Sequence, residues 1–162
     1  MGQFNSRRGG LQPVWPLRVS NTLDTDYDGL YDIIYDQRQS IAQNLYSLVM
    51  TIPGEWPGDD ELGAGLPTIL FELYNSDILE SWKSNLKSQV RTYLDLVKIV
   101  KIEFGQSNQD IDNSKSNLTI TYTVDLLGIE EKLNIEIAPE GVNQVSLSGI
   151  DRLFTLTGRP IT

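Results

Sequence analysis

The hydrophobic residues of this chain change their spacing near Leu96, and this change limits the folds open to the chain. Before Leu96, apolar residues recur at intervals of three or four, which is the spacing of a helix with one buried face. After it, apolar and polar residues alternate, which is typical of a strand with one buried face. Helices followed by antiparallel strands predict an α+β fold, with two main helices packed on one face of a three-stranded sheet.

The helical part contains two main helices and one short segment. The first helix is predicted over Leu30 to Met50, and Pro53 with Gly54 ends it. One or two helical turns are expected over Leu66 to Leu73. The second main helix begins near Asp77, and its buried face carries residues three or four apart: Leu79, Trp82, Leu86, Val90 and Tyr93.

The alternating part predicts three strands. The first runs from Leu96 to Phe104, with a bulge at Ile99-Val100 where the alternation is interrupted. The second and third, 118–126 and 132–138, are joined as a hairpin through residues 127–131, which include Gly128. The remaining segments show no sustained period, so residues 1–29 are predicted to be an extended arm, 30–138 the folded domain and 139–162 a tail.

Composition excludes several kinds of chemistry. The 162 residues include no cysteine and no histidine, so we expect no zinc cluster, no disulfide and no histidine-based catalysis. A net charge of −9 argues against nucleic acid as a partner. No apolar run approaches the roughly 18–20 residues of a membrane span, and the chain opens without a signal-peptide pattern. We expect no membrane partner and no cofactor.

Two groups of acidic residues resemble a calcium loop and a glycosidase active site, but the residues around them do not support either function. Asp24 to Gly29 places acids at alternate positions like a calcium loop, but the twelfth position is Tyr35 instead of glutamate, so no metal site is predicted. A loop rich in glycine carries a second group, whose carboxylates could in principle hydrolyse a glycosidic bond: Glu55, Asp59, Asp60 and Glu61. Nothing in the sequence holds them in place, and we predict no catalytic residue.

The same glycine-rich segment is predicted to be structural. Its glycines suggest positive φ angles or close contacts. Phe71 is expected to pack among Ile41, Leu45, Leu86 and Val90. The predicted structural motif consists of Gly54, Glu55, Gly63, Gly65, Leu66, Phe71 and Glu72.

Two surfaces are predicted to bind partners. Lys83, Lys87 and Arg91 form the one dense basic stripe on an acidic chain, and we expect it to face a neighbouring subunit. The sheet has edges that can accept a strand from another protein. Its polar residues are assigned to that surface: Thr119, Thr121, Thr123, Asn134 and Glu136.

The order of several short motifs resembles the small baseplate wedge family of contractile-tail phages, which is related to baseplate subunits of type VI secretion and other contractile injection systems. The resemblance covers roughly Val14 to Ala138. The motifs that carry it are Val14-Trp-Pro-Leu17, Thr51-Ile-Pro-Gly-Glu55, Leu62-Gly-Ala-Gly-Leu66 and Leu70-Phe-Glu72. Some members of the family have been called lysozymes, an activity that the loop carboxylates described above do not support.

The resemblance implies a structural role without catalysis. Six copies would sit around a virion tail baseplate, assembled in the host cytoplasm and packed against other wedge proteins. Their sheet would give the first ring of sheath subunits a platform to which strands are added. One departure concerns the family's Glu-Pro-Arg, because the matching positions here are Leu94, Asp95 and Leu96. The alternatives are the same subunit in a type VI or bacteriocin-like injector and, from another class, a carboxylate glycosidase acting on cell wall.

Overall fold

The computed structural model describes residues 11–15, 17, 33–34, 36–70, 76–105, 116–125, 127–138, 141–147 and 150–155. Within these ranges the chain forms three helices and seven strands. The helices are α1 (Gln37–Met50), α2 (Leu66–Ile69) and α3 (Ser76–Tyr93). The strands are β1 (Gln12–Pro13), β2 (Ile33–Ile34), β3 (Val97–Gly105), β4 (Ser116–Val124), β5 (Ile129–Ala138), β6 (Gly141–Leu147) and β7 (Ile150–Thr155).

Strands β3 to β7 form one antiparallel sheet in which each strand pairs with the next along the chain. The α+β class is confirmed, but the prediction of three strands is wrong because the described sheet has five. The segment predicted as a tail contributes β6 and β7, and Val145 and Leu147 of β6 are buried. They lie opposite Ile135 and Leu133 of β5, so they are buried because β6 pairs with the side of β5 that β4 leaves free. Their own short pattern does not indicate it.

The hairpin between β4 and β5 is tighter than predicted. Val124 pairs with Ile129, so four residues, 125–128, connect the strands, and Gly128 takes a φ of +60° there. The bulge in β3 is confirmed, because the register with β4 shifts between Ile99 and Lys101. The buried apolar residues of β4 and β5 alternate as the sequence predicts.

Helix α1 begins at Gln37, seven residues after the predicted start. Asp36 is the N-cap, and its carboxylate accepts a hydrogen bond of 2.9 Å from the Arg38 amide. Ile33 and Ile34 form β2 instead, paired with β1. A side chain able to cap the helix and two β-branched residues able to pair therefore shorten the helix.

The described part of the N-terminal arm lies against α1. The Gln43 side chain donates to the Pro13 carbonyl at 3.0 Å and accepts from the Trp15 amide at 2.8 Å. One amide side chain thus satisfies both a carbonyl and an N–H of the arm. These bonds explain why Gln43 is buried on a helix face that is otherwise apolar.

Helices α1 and α3 pack against one face of the sheet, and the hydrophobic core lies between the helices and that face. Helix α3 has the predicted extent, and α2 forms one helical turn at the start of its predicted segment, whose residues 71–73 lie outside the described residues. The largest fully buried side chains are Tyr122, Leu45, Leu66, Leu86, Leu118, Ile120, Leu133 and Ile135. The other face of β3, β4 and β5 carries most of the polar residues of these strands.

Candidate functional site

Residues 51–65, here called the glycine loop, connect α1 to α2. Backbone amides of its second half donate to the end of α1: Ala64 to the Leu48 carbonyl and Gly65 to the Thr51 carbonyl, both at 2.9 Å. The Gln89 side chain of α3 accepts from the Gly63 amide at 3.0 Å and donates to the Glu61 carbonyl at 2.8 Å. The loop is therefore fastened to both main helices, which supports its predicted structural role.

Gly63 is a position where no other residue fits. Its φ is +117°, and a Cβ atom there would lie 2.3 Å from the Thr51 carbonyl oxygen. Gly65 also has a positive φ, +65°, and precedes Leu66, which is fully buried. Gly54 has a φ of +91° with open space around it, so its role is the turn alone. Phe71 and Glu72, and the packing predicted for Phe71, lie outside the described residues.

Two of the four loop carboxylates hold the loop together. Glu55 accepts from the Ile52 amide at 3.0 Å, and its own amide donates to the Ile52 carbonyl at 3.0 Å. Asp59 accepts from the Tyr93 hydroxyl at 2.9 and 3.0 Å through its two oxygens. This hydrogen bond, with burial and the charges of Asp59 and Glu61, raises the pKa of Tyr93.

The carboxylates of the glycine loop do not form an enclosed acid pair. Asp60 and Glu61 are exposed, Asp59 is half-buried, and Glu55 is exposed beside the exposed Trp56. A glycosidase acid needs a desolvated carboxyl group facing a second one, and none of these four is buried. Within the described residues, no three acidic side chains are grouped as they would be around a metal ion.

The predicted basic stripe lies on α3. Lys83 is paired with Glu80 at 2.7 Å within the same helix. Lys87 and Arg91 are exposed and form no ion pair with another described residue. Two of the three cations are therefore open to a partner, and the partner itself is still a prediction.

The polar residues assigned to a strand-accepting surface lie on the two inner strands β4 and β5. Thr119 donates to the Asn134 side chain across these strands at 2.9 Å, and Thr121 is buried. Thr123 and Glu136 are half-buried on the same strands. Because β4 pairs with β3 and β5, and β5 with β4 and β6, their backbone cannot accept an added strand. The assignment of these residues to the strand-accepting surface is therefore corrected, because in the described sheet the edges are β3 and β7.

Edge strand β3 carries features that discourage pairing. It contains the bulge near Val100, whose side chain is 54% exposed. Lys98 pairs with Asp125 at 2.6 Å, and Lys101 pairs with Glu103 at 2.7 Å. Bulges and charged side chains are common means of keeping an edge from recruiting other strands.

One buried ion pair was not predicted. Glu131 of β5, 3% exposed, binds Arg38 of α1 at 2.5 Å and so ties the helix to the sheet. Nearby, burial and then the charge of Glu131 raise the pKa of Tyr122, while Arg38 lowers it. The sequence indicates this burial, because Glu131 lies two residues before Leu133 and four before Ile135. Alternate residues of a strand lie on the same face, which here is the core face.

No helix in the described ranges is long and apolar enough to cross a membrane.

No family model and no curated protein matches this chain. Two solved structures share its fold. A candidate tail lysozyme from Geobacter sulfurreducens is 15% identical, with a TM-score of 0.53 over 65% of this chain and 94% of that chain.

A second structure is a chain of the anti-feeding prophage (AFP) baseplate, solved by cryo-electron microscopy with sixfold symmetry. It is 19% identical, with a TM-score of 0.56 over 72% of this chain and 86% of that chain. At these identities the likeness establishes the fold alone. The chain thus has an α+β fold that the baseplate of a contractile injection system also uses.

Proposed function

We propose that this chain is a structural, non-catalytic subunit of a contractile-tail baseplate. It would join the other wedge proteins, in six copies, and offer its sheet to the first ring of sheath subunits. The observation that carries the proposal is the shared fold with a chain of the AFP baseplate. The same subunit in a type VI or bacteriocin-like injector is the alternative within this class, and assembly in the host cytoplasm belongs to the phage version.

The sheet supports this role through its edges. A strand arriving from the sheath would pair its N–H and C=O groups with the free side of β3 or β7, and alternate side chains would set its register. Lysines and a bulge protect β3, so β7 is the edge at which we expect the arm to bind.

Proline scanning of the two edges tests this role. Successive N–H groups of a strand point to opposite sides, so one of each adjacent pair faces away from the sheet. Prolines are placed singly at Arg152 and Leu153 in β7, and at Lys101 and Ile102 in β3 as the matched control. Variants that fold and enter baseplates are then examined for sheath by electron microscopy.

We expect one β7 variant to give baseplates without sheath and the folded β3 variants to give normal tails. If only a β3 variant loses its sheath, the arm binds β3 instead of β7. Normal sheath on folded variants of both edges would contradict the platform role.

A glycosidase is the alternative from another class, and Glu55 is the residue on which to test it. Purified peptidoglycan is incubated with the wild type, with Glu55→Gln and with Asp60→Asn, which changes an exposed acid of the same loop. We expect no release of muropeptides by any of them. Hydrolysis that depends on Glu55 would contradict a purely structural role.

A further inference from the structure

The backbone on both sides of Trp56 is held by hydrogen bonds. Before it, the Ile52 and Glu55 amides are bonded as described above, closing a turn over residues 52–55. After it, the Asp59 amide donates to the Trp56 carbonyl at 3.2 Å, and the Asp59 carboxylate is held by Tyr93 of α3. Trp56 therefore sits at the tip of a loop whose path is largely determined before any partner arrives.

The Trp56 side chain is 59% exposed, the largest exposure among the large hydrophobic side chains of the described residues. Pro53 and Pro57 beside it are exposed as well. A single exposed hydrophobic residue needs no explanation by itself. An indole on a rigid loop is different, because it buries a large area while losing little conformational entropy, and tryptophan is enriched among residues that dominate binding.

The charge around Trp56 is of one sign. Residues 51–66 contain four acids and no base. Glu55, Asp60 and Glu61 are exposed, although Glu55 accepts a hydrogen bond from the Ile52 amide, and the half-buried Asp59 accepts one from Tyr93 of α3. A protein that receives Trp56 must accommodate these charges, so its surface around the pocket is expected to be basic.

We propose that Trp56 is an anchor that inserts into an apolar pocket, rimmed by lysine or arginine, on a neighbouring protein of the baseplate. This inference rests on the proposed function. It assigns to the glycine loop a contact separate from the sheet edges and from the basic stripe of α3.

Oxidative footprinting tests whether Trp56 is covered on assembly. The isolated chain and the purified baseplate containing it are exposed to hydroxyl radicals, and oxidation is measured peptide by peptide by mass spectrometry. We expect Trp56 to be oxidised in the isolated chain and protected at least about tenfold in the baseplate. Trp82, which is 5% exposed, serves as the internal control because it is protected in both.

Competition for assembly tests whether the contact matters. Equal amounts of wild type and Trp56→Ala are offered to a limiting quantity of the other baseplate proteins, and the incorporated ratio is measured. We expect the variant to be incorporated at least about tenfold less, with an unchanged melting temperature because the side chain is exposed. Trp15→Ala, which removes an indole 51% exposed on the arm, is the matched control and should compete equally.

The contribution of the exposed acids beside Trp56 is tested separately, by measuring incorporation at several salt concentrations. Asp60→Asn combined with Glu61→Gln should reduce incorporation and flatten its dependence on salt. If wild-type chain does not enter baseplates, the proposed function fails. If wild type enters while Trp56 stays as oxidisable as in the isolated chain, or Trp56→Ala competes equally, the anchor is refuted and the structural role stands.

Discussion

At the scale of single residues, Gly63 and Tyr46 show how burial limits what a position accepts. The missing Cβ of Gly63 lets the glycine loop approach the end of α1, and the positive φ suits glycine. Tyr46 of α1 is 4% exposed, and this burial raises its pKa to about 12. Each position has a measurable consequence for stability.

Gly63→Ala should destabilise the fold by about 3 kcal/mol, since strain at positive φ and a clash with the Thr51 carbonyl act together. Urea denaturation measures the loss. Gly58→Ala is the control, because Gly58 has a φ of +98° but a Cβ atom added there would meet no atom within 4 Å. A similar loss for both variants would show that conformation alone, without the close contact, explains Gly63.

The raised pKa of Tyr46 predicts lower stability at alkaline pH. In the unfolded chain tyrosine ionises near pH 10, whereas the buried hydroxyl keeps its proton up to about pH 12. The stability from the neutral phenol is therefore complete below pH 10 and is lost between about pH 10 and 12, up to roughly 2–3 kcal/mol. Tyr46→Phe should make the decline in denaturation curves measured at several pH values shallower without removing it, because burial also raises the pKa of Tyr122. An unchanged decline would contradict the assignment to Tyr46.

At the scale of elements, α3 has a side that faces the rest of the protein and a side that faces solvent. On the first, Leu86 lies in the core, and Gln89 and Tyr93, near its border, hold the glycine loop. On the second, Lys87 and Arg91 are exposed. The helical period separates these roles, so a change on one face leaves the others in place.

Lys87→Glu combined with Arg91→Glu should weaken incorporation into baseplates about tenfold at low salt, with little change in melting temperature. The effect should shrink as salt rises, because screening reduces interactions between exposed charges. Lys98→Glu with Lys101→Glu carries the same change of net charge on β3 and is the control for incorporation. Unchanged incorporation of the α3 variant at low salt would refute a partner on this stripe.

At the scale of the whole molecule, the sheet grows by two strands beyond the three that alternation predicts. Strand β6 covers the free side of β5 and buries Val145 and Leu147 in the common core. As a result the sheet ends at β7 on this side, and β5, which would be an edge in a three-stranded sheet, becomes an inner strand like β4. The surface available to an added strand therefore moves away from the residues first assigned to it.

Leu147→Ala should lower the free energy of unfolding by about 2–4 kcal/mol, because Leu147 is 2% exposed and its removal leaves a cavity. Ser146→Ala, on the same strand and opposite Asn134, should change it little. Chemical denaturation of both variants measures the difference. Equal, small effects would mean that β6 adds no stability to the core.

Patterns within a short stretch of sequence determined much of this protein. The face of α3, the bulge of β3 and the alternation of β4 follow from spacing, and the glycine loop follows from its composition. Each depends on neighbours within a few residues, whose backbone preferences act wherever the segment lies. The α+β class follows from the single change of period near Leu96.

Contacts between distant segments decided the rest. The start of α1 depended on β2 pairing with the arm, and the inclusion of β6 depended on an apolar edge offered by β5. The Arg38–Glu131 ion pair joins residues far apart in the chain, so local patterns could not predict it. Only the burial of Glu131 could be inferred, from its alternation with Leu133 and Ile135. Short segments with weak periods gain their stability from partners elsewhere, so only the tertiary structure determined which strands are inner and which are edges.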